Sequence, residues 1–247
     1  EPVLIDYSND NHSGIWVDLA QDCIVNNNYI RNIKPPSGNS VNSAGIFFWT
    51  SRNIQVYHNR IENCSTGMYV KYNHGGTGFG GIDIRYNFLD GGDTGIRNAD
   101  QSTAGQAANS IIQNLFRNYT TCAINFSFGT DSIDVPRLWN THHNTFVDCA
   151  DGFYVGFQNT NAMEDVLIHD NLHDGGNRGW LIENSNGTIA GFVARGMEAH
   201  HNNIKNVPTY GRTDSGTSTT PSAFNTATSL GRSEEHTSEL QSQNRIS

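Results

Sequence analysis

The sequence predicts an all-β solenoid: a right-handed parallel β-helix of about seven coils, truncated at both ends. Three observations carry that expectation. The first is a recurring unit, best seen in Asn53 to Val70, where Ile54 and Val56 alternate with Gln55 and Tyr57. Period-two alternation is the mark of a half-buried strand. The second is an asparagine that recurs at Asn28, Asn59, Asn87, Asn114, Asn144, Asn171 and Asn202, at intervals of 27 to 31 residues by subtraction. The third is the absence of any helical apolar period inside a unit. Such units cannot bury one face alone and must stack on their neighbours.

Each element of the unit has a reason. Three residues before each asparagine stand Val25, Val56, Ile84, Ile111, Thr141, Ile168 and Ala199. Two after it stand Ile30, Ile61, Leu89, Phe116, Phe146, His173 and Ile204. Both series are candidate core columns. Eight after the asparagine, the middle units place Gly67, Gly95, Cys122, Gly152 and Gly179, each opening a further alternating run. Three short strands per coil, stacked at roughly 4.8 Å, bring like residues into register. Asparagine suits a column: it tolerates the left-handed backbone of a sharp corner, and its amide both donates and accepts along the stack. The right-handed sense follows from the crossover rule for parallel strands.

This pattern resembles the pectin-lyase-like superfamily of right-handed β-helix proteins over roughly Gly14 to Val207. The resemblance implies a carbohydrate-active protein, since that superfamily includes polysaccharide lyases and hydrolases, uronan epimerases, tailspikes and adhesins.

Residues 1–209 are expected to form the β-helix domain. Residues 210–231 are Ser/Thr-rich and read as a linker or partial coil, and residues 232–247 (RSEEHTSELQSQNRIS) resemble a translated sequencing adapter. Gly14-Ile15-Trp16-Val17 already matches the run after Gly67, so the chain is expected to begin mid-coil. Charged residues make up 16% of the chain, against about 25% in typical domains, so the surface must be built from Asn, Ser, Thr and Gly. A net charge of −9 without a basic run argues against nucleic acid. No stretch is apolar enough for a membrane span. A secreted or cell-surface location is the expectation. Cys64 and Cys149 fall in one column three coils apart, beyond disulfide reach, and all four cysteines read as small buried apolar residues.

The functional expectation lies on the outward face of the glycine-led strands. Residues two and four after the glycine point out. They supply Trp16 with Asp18, Phe47 with Trp49, Tyr69 with Lys71, Arg97 with Ala99, Ile124 with Phe126, Tyr154 with Gly156, and Leu181 with Glu183. Trp16, Phe47, Trp49, Tyr154 and Glu183 are candidate substrate contacts, because flat rings suit the apolar faces of sugars. Lys71 and Arg97 are candidate catalytic cations on neighbouring coils. One would neutralise a uronate carboxylate, and the other would remove the adjacent proton. Tyr69, His74 and Asp100 are further acid–base candidates. Such Lys–Arg pairs resemble those of the alginate and chondroitin lyases in the superfamily. A polysaccharide lyase acting on an acidic polysaccharide is therefore expected, with a non-catalytic glycan-binding or structural β-helix as the alternative and a glycoside hydrolase as a third. The hydrolase reading rests on Asn98-Ala99-Asp100, whose partner motifs are missing on the following coils.

The sequence offers two metal readings. Calcium is possible at Glu62 and Asp90, which are like charges on adjacent coils, although flanking arginines balance them more simply. His142, His169 and His200 share one outward column that could take a transition metal. The polar outer surface explains the column equally, and no metal is assigned there.

Overall fold

A computed structural model describes residues 3–6, 13–35, 43–71, 80–99, 107–127, 137–157, 164–184, 197–213 and 216–218. Among them there is no helix; the chain is a parallel β-solenoid. Each coil contributes three rows. The glycine-led row includes Ile15–Asp18, Ile46–Trp49, Thr66–Lys71, Asp151–Phe157 and Arg178–Asn184. The second row, a seven-stranded sheet, includes Ile24–Asn26, Arg52–Tyr57, Gly80–Arg85 and Asn109–Ile112. The third row is short, with strands such as Asn28–Arg31 and Arg60–Glu62. Phe88–Ala99 and Leu115–Ser127 run through the corner between third and first rows, which fuses those rows into one 15-stranded sheet. The stack amounts to about five turns rather than about seven. The glycine-led row continues into Thr209–Thr213, which pairs with Arg178–Asn184 and then with Gly216–Ser218, the latter antiparallel.

The two core columns stack in register. Val25, Val56, Ile84, Ile111, Thr141, Ile168 and Ala199 pair in succession. So do Ile30, Ile61, Leu89, Phe116, Phe146, His173 and Ile204. Each asparagine side-chain amide donates to the carbonyl oxygen of the next, from Asn28 to Asn202, at 2.9–3.0 Å. Backbone carbonyls of the preceding coil take the remaining donor capacity, as Val56 does for Asn87 at 2.9 Å.

Two expectations are corrected. The left-handed corner residue is not the asparagine but the one before it. Asn27, His58, Tyr86, Gln113, His143, Asp170 and His201 all have φ between 52° and 55°. The asparagine itself is not left-handed, and its amide aims along the stack. Secondly, Cys122 does not occupy the glycine slot. It pairs with Thr94 and Asp151, one residue before that slot, and Ala123 fills the slot. The register slips between Gly92 and Thr94 because the fourth coil carries one extra residue there. The outward residue of that coil is therefore Asn125, while Ile124 and Phe126 are core.

Cys64, Cys122 and Cys149 are free, buried thiols, and Cys23 is half-buried. Burial pushes the Cys64 and Cys149 thiols up to about 12.

His173 interrupts an apolar column. It is 2% exposed, and its Nδ1 has no hydrogen-bond partner among the described residues. Burial holds its affinity for protons below the usual histidine range, opposed by the Cys149 carbonyl near Nε2. The unfolded chain then binds a proton below about pH 6.5 that the folded chain refuses. His173 stabilisation is present above that pH and lost as pH falls through it. We expect His173→Leu to remove up to one proton of acid dependence, about 1.4 kcal/mol per pH unit, from urea-unfolding free energies between pH 6.5 and 5. An unchanged slope in the leucine variant would contradict this.

Candidate functional site

The glycine-led strands place one outward column in register: Trp16, Phe47, Tyr69, Arg97, Asn125, Tyr154, Leu181 and Arg212. A second outward column carries Asp18, Trp49 and Lys71, and further along Gly156 and Glu183. Strand alternation produces both, since the residues between them fill the coil interior.

At the N-terminal end the rings meet one another. Phe47 lies 4.4 Å from Trp16, 6.0 Å from Trp49 and 5.1 Å from Tyr69, centroid to centroid. These contacts form a small cluster with Ala44, separate from the coil interior. Phe47 is fully buried in it, and Tyr69 is 3% exposed. Both point away from the sheet as expected, but neither offers a ring face to solvent. The rings a sugar could meet here are Trp16, 52% exposed, and the half-buried Trp49.

The two cations sit on this aromatic bed. Lys71 Nζ lies 5.2 Å from the Trp49 ring centroid, and Arg97 Cζ lies 5.0 Å from that of Tyr69. Arg97 pairs with Tyr69 across the strands, and Lys71 lies two residues further on the Tyr69 strand. Their Cα atoms are thus roughly 8 Å apart on the sheet geometry, and both side chains are long enough to meet over one ligand group. Arg97 Nε is buried without a hydrogen-bond partner among the described residues.

At the C-terminal end the same face is acidic and basic by turns. The Tyr154 hydroxyl donates to Glu183 Oε2 at 3.4 Å. Arg178 holds Asp151 by two bonds, Nε to Oδ1 at 2.7 Å and Nη2 to Oδ2 at 2.9 Å. Burial pushes the Asp151 carboxyl up, and Arg178 opposes it. Glu183 and Arg212 also act on Asp151 electrostatically. The sequence reading missed Asp151, Arg178 and Arg212. The first two stand immediately before a slot glycine, a position to which it gave no role. Arg212 belongs to a coil in which Tyr210 replaces that glycine.

His74 and Asp100 lie outside the described residues. Asn98, the first residue of the N-x-D sequence, is an interior residue with no exposure. The Glu62 and Asp90 carboxylates, suggested for calcium, already have partners. Glu62 accepts from the Tyr29 hydroxyl at 2.6 Å and pairs with Arg60, and Asp90 accepts from Asn118 at 2.7 Å and faces Arg117.

Comparison with protein-family models, curated proteins and solved structures found no match to this chain.

Proposed function

We propose that this chain is a carbohydrate-active β-solenoid that engages an acidic polysaccharide across its glycine-led sheet and cleaves it by β-elimination. The observation that carries the reading is the placement of Lys71 and Arg97 on adjacent coils, each against a ring face, beside Trp16 and Trp49. A planar guanidinium pairs bidentately with a carboxylate, so Arg97 suits the uronate group. Lys71, diagonal to it, is the proton acceptor at the neighbouring carbon. The stacked parallel coils also support a place near the pectin-lyase-like superfamily and a secreted or cell-surface setting. The burial of Asn98 counts against the hydrolase alternative.

A second reading, glycan binding without turnover, is favoured by a specific observation. Tyr69, the acid–base candidate whose ring lies beneath Arg97, is almost wholly buried. Incubation with alginate, polygalacturonate and chondroitin, followed by the ultraviolet absorbance of the unsaturated product, separates the two. We expect Lys71→Ala to lower turnover by about 100-fold or more with binding retained, and Arg97→Ala to weaken both. Saturable binding with no product from any uronate polymer would retire the elimination and leave the binding reading.

A further inference from the structure

A different edge of the molecule carries an independent feature. At the turn between second and third rows, the left-handed residue before the asparagine lays its side chain beside that of its predecessor in several coils, Tyr57 with His58 among them. Neighbours that would point to opposite faces of a strand are thereby turned to one side. On three consecutive coils both members of the pair are metal-ligating types: His142 with His143, His169 with Asp170, and His200 with His201. Their donor atoms converge. Nδ1 to Nδ1 is 2.6 Å in the first pair and 3.0 Å in the third, and His169 Nδ1 lies 2.7 Å from Asp170 Oδ2 in the second. The rings of His142, His169 and His200 stack at 4.7 and 5.1 Å, within 15° of parallel. His143, Asp170 and His201 are exposed, and the inner members are half-buried.

We propose that the His142–His143 and His200–His201 pairs are chelating sites for a divalent transition metal of the copper or nickel type. The separations suit a chelate. At a metal–nitrogen distance of about 2.05 Å, a right-angled edge spans about 2.9 Å and a tetrahedral edge about 3.4 Å. The His200–His201 separation of 3.0 Å is the right-angled one, as tetragonal copper(II) and nickel(II) prefer. His142 and His143 reach the same bite by opening a few tenths of an ångström. No three His, Cys, Asp or Glu side chains among the described residues form a metal-holding group, so each site is a two-donor chelate completed by water. The two sites are separated by the His169–Asp170 rung, whose carboxylate offsets the added charge. The Asp170 carboxyl is held below its usual range by its bond to His169, against the opposing effect of burial.

The test is titration of the full chain with copper(II) and nickel(II) at neutral pH, followed by visible absorption and calorimetry. Wild type should take up two equivalents. His143→Gln and His201→Gln should each lose one, and the double variant both. Glutamine is compatible with this corner, because Gln113 occupies the same column at φ 54°. Asparagine, as at Asn27, is the second choice should either glutamine variant fold poorly. Acidification should release the metal as the imidazoles protonate. Equal uptake by wild type and the double variant would assign the metal to other histidines and overturn the proposal, as would no uptake at all.

Discussion

Gly92→Ala should abolish folding of the central coils, whereas Gly91→Asn should leave the protein as stable as the parent. The two glycines are neighbours, both with positive φ (74° for Gly91 and 129° for Gly92), yet their surroundings differ. A Cβ on Gly92 would stand 1.8 Å from the Cys64 carbonyl oxygen, a backbone atom of the coil below that cannot move without breaking the stack. A Cβ on Gly91 would meet nothing nearer than Asn63 N at 3.9 Å. Asn32, Asn63, Asn118 and Asn206 already occupy the Gly91 corner in other coils at φ of 52° to 61°. Asparagine is therefore a native choice there, while alanine at Gly92 should cost at least about 4 kcal/mol. Gly176→Ala should repeat the damage, since its Cβ would lie 1.7 Å from the Cys149 carbonyl. Thermal unfolding by circular dichroism and soluble yield read both effects. A cooperative, parent-like Gly92→Ala would show that the close approach of these coils is not obligatory.

Which parts of this architecture were legible follows from what repeats. The core columns and the asparagines recur at every coil and depend on strand alternation alone, so their register could be read directly. The corner geometry was displaced by one residue, because the residues that adopt the left-handed turn share no chemistry. Asn27, His58, Tyr86 and Gln113 have one backbone conformation and four different side chains. The slip at Cys122 has a similar origin. A counting rule of eight residues cannot register a single inserted residue, although the strand partners of Asp151 reveal it at once.

The candidate site was legible only as a direction. Alternation showed that Phe47, Tyr69 and Arg97 leave the same side of the sheet, and they do. Whether an outward ring stays open is settled by what packs over it. Phe47 and Tyr69 close on Ala44 and Trp49, while Trp16, at the same column position, stays open. The Asp151–Arg178 pair was hidden for another reason. Its column reads Thr66, Thr94, Cys122, Asp151 and Arg178. No shared side-chain type marks it, so its outward but covered position appears only when the coils are stacked.

Asn114→Ala should cost about 3–5 kcal/mol, several times the cost of Asn28→Ala. The difference follows from position in one column. The Asn114 Nδ2 group donates to Ile84 O at 2.9 Å, Ile112 O at 3.1 Å and Asn144 Oδ1 at 3.0 Å. Its Oδ1 accepts from Asn87 N at 2.9 Å and Asn87 Nδ2 at 3.0 Å. Truncation to alanine strands buried donors on Asn87 and a buried carbonyl on Ile84, and an orphaned buried group costs about 1–3 kcal/mol. Asn28 is half-buried and donates to Asn26 O and Asn59 Oδ1, so water can replace much of what is lost. Asn114→Asp is the sharper variant. It keeps the acceptor for Asn87 but sets a carboxylate against the Ile84 carbonyl in a dry column, so it should be no better than alanine at neutral pH. Burial raises such a carboxyl above its unfolded value, so the folded state binds the proton more tightly and stability should recover as pH falls through that raised value. Urea-unfolding midpoints for the three variants at pH 7 and pH 5 measure each claim. Equal costs at Asn28 and Asn114 would mean that the amides merely fill space, and that the coils are held in register by their apolar columns alone.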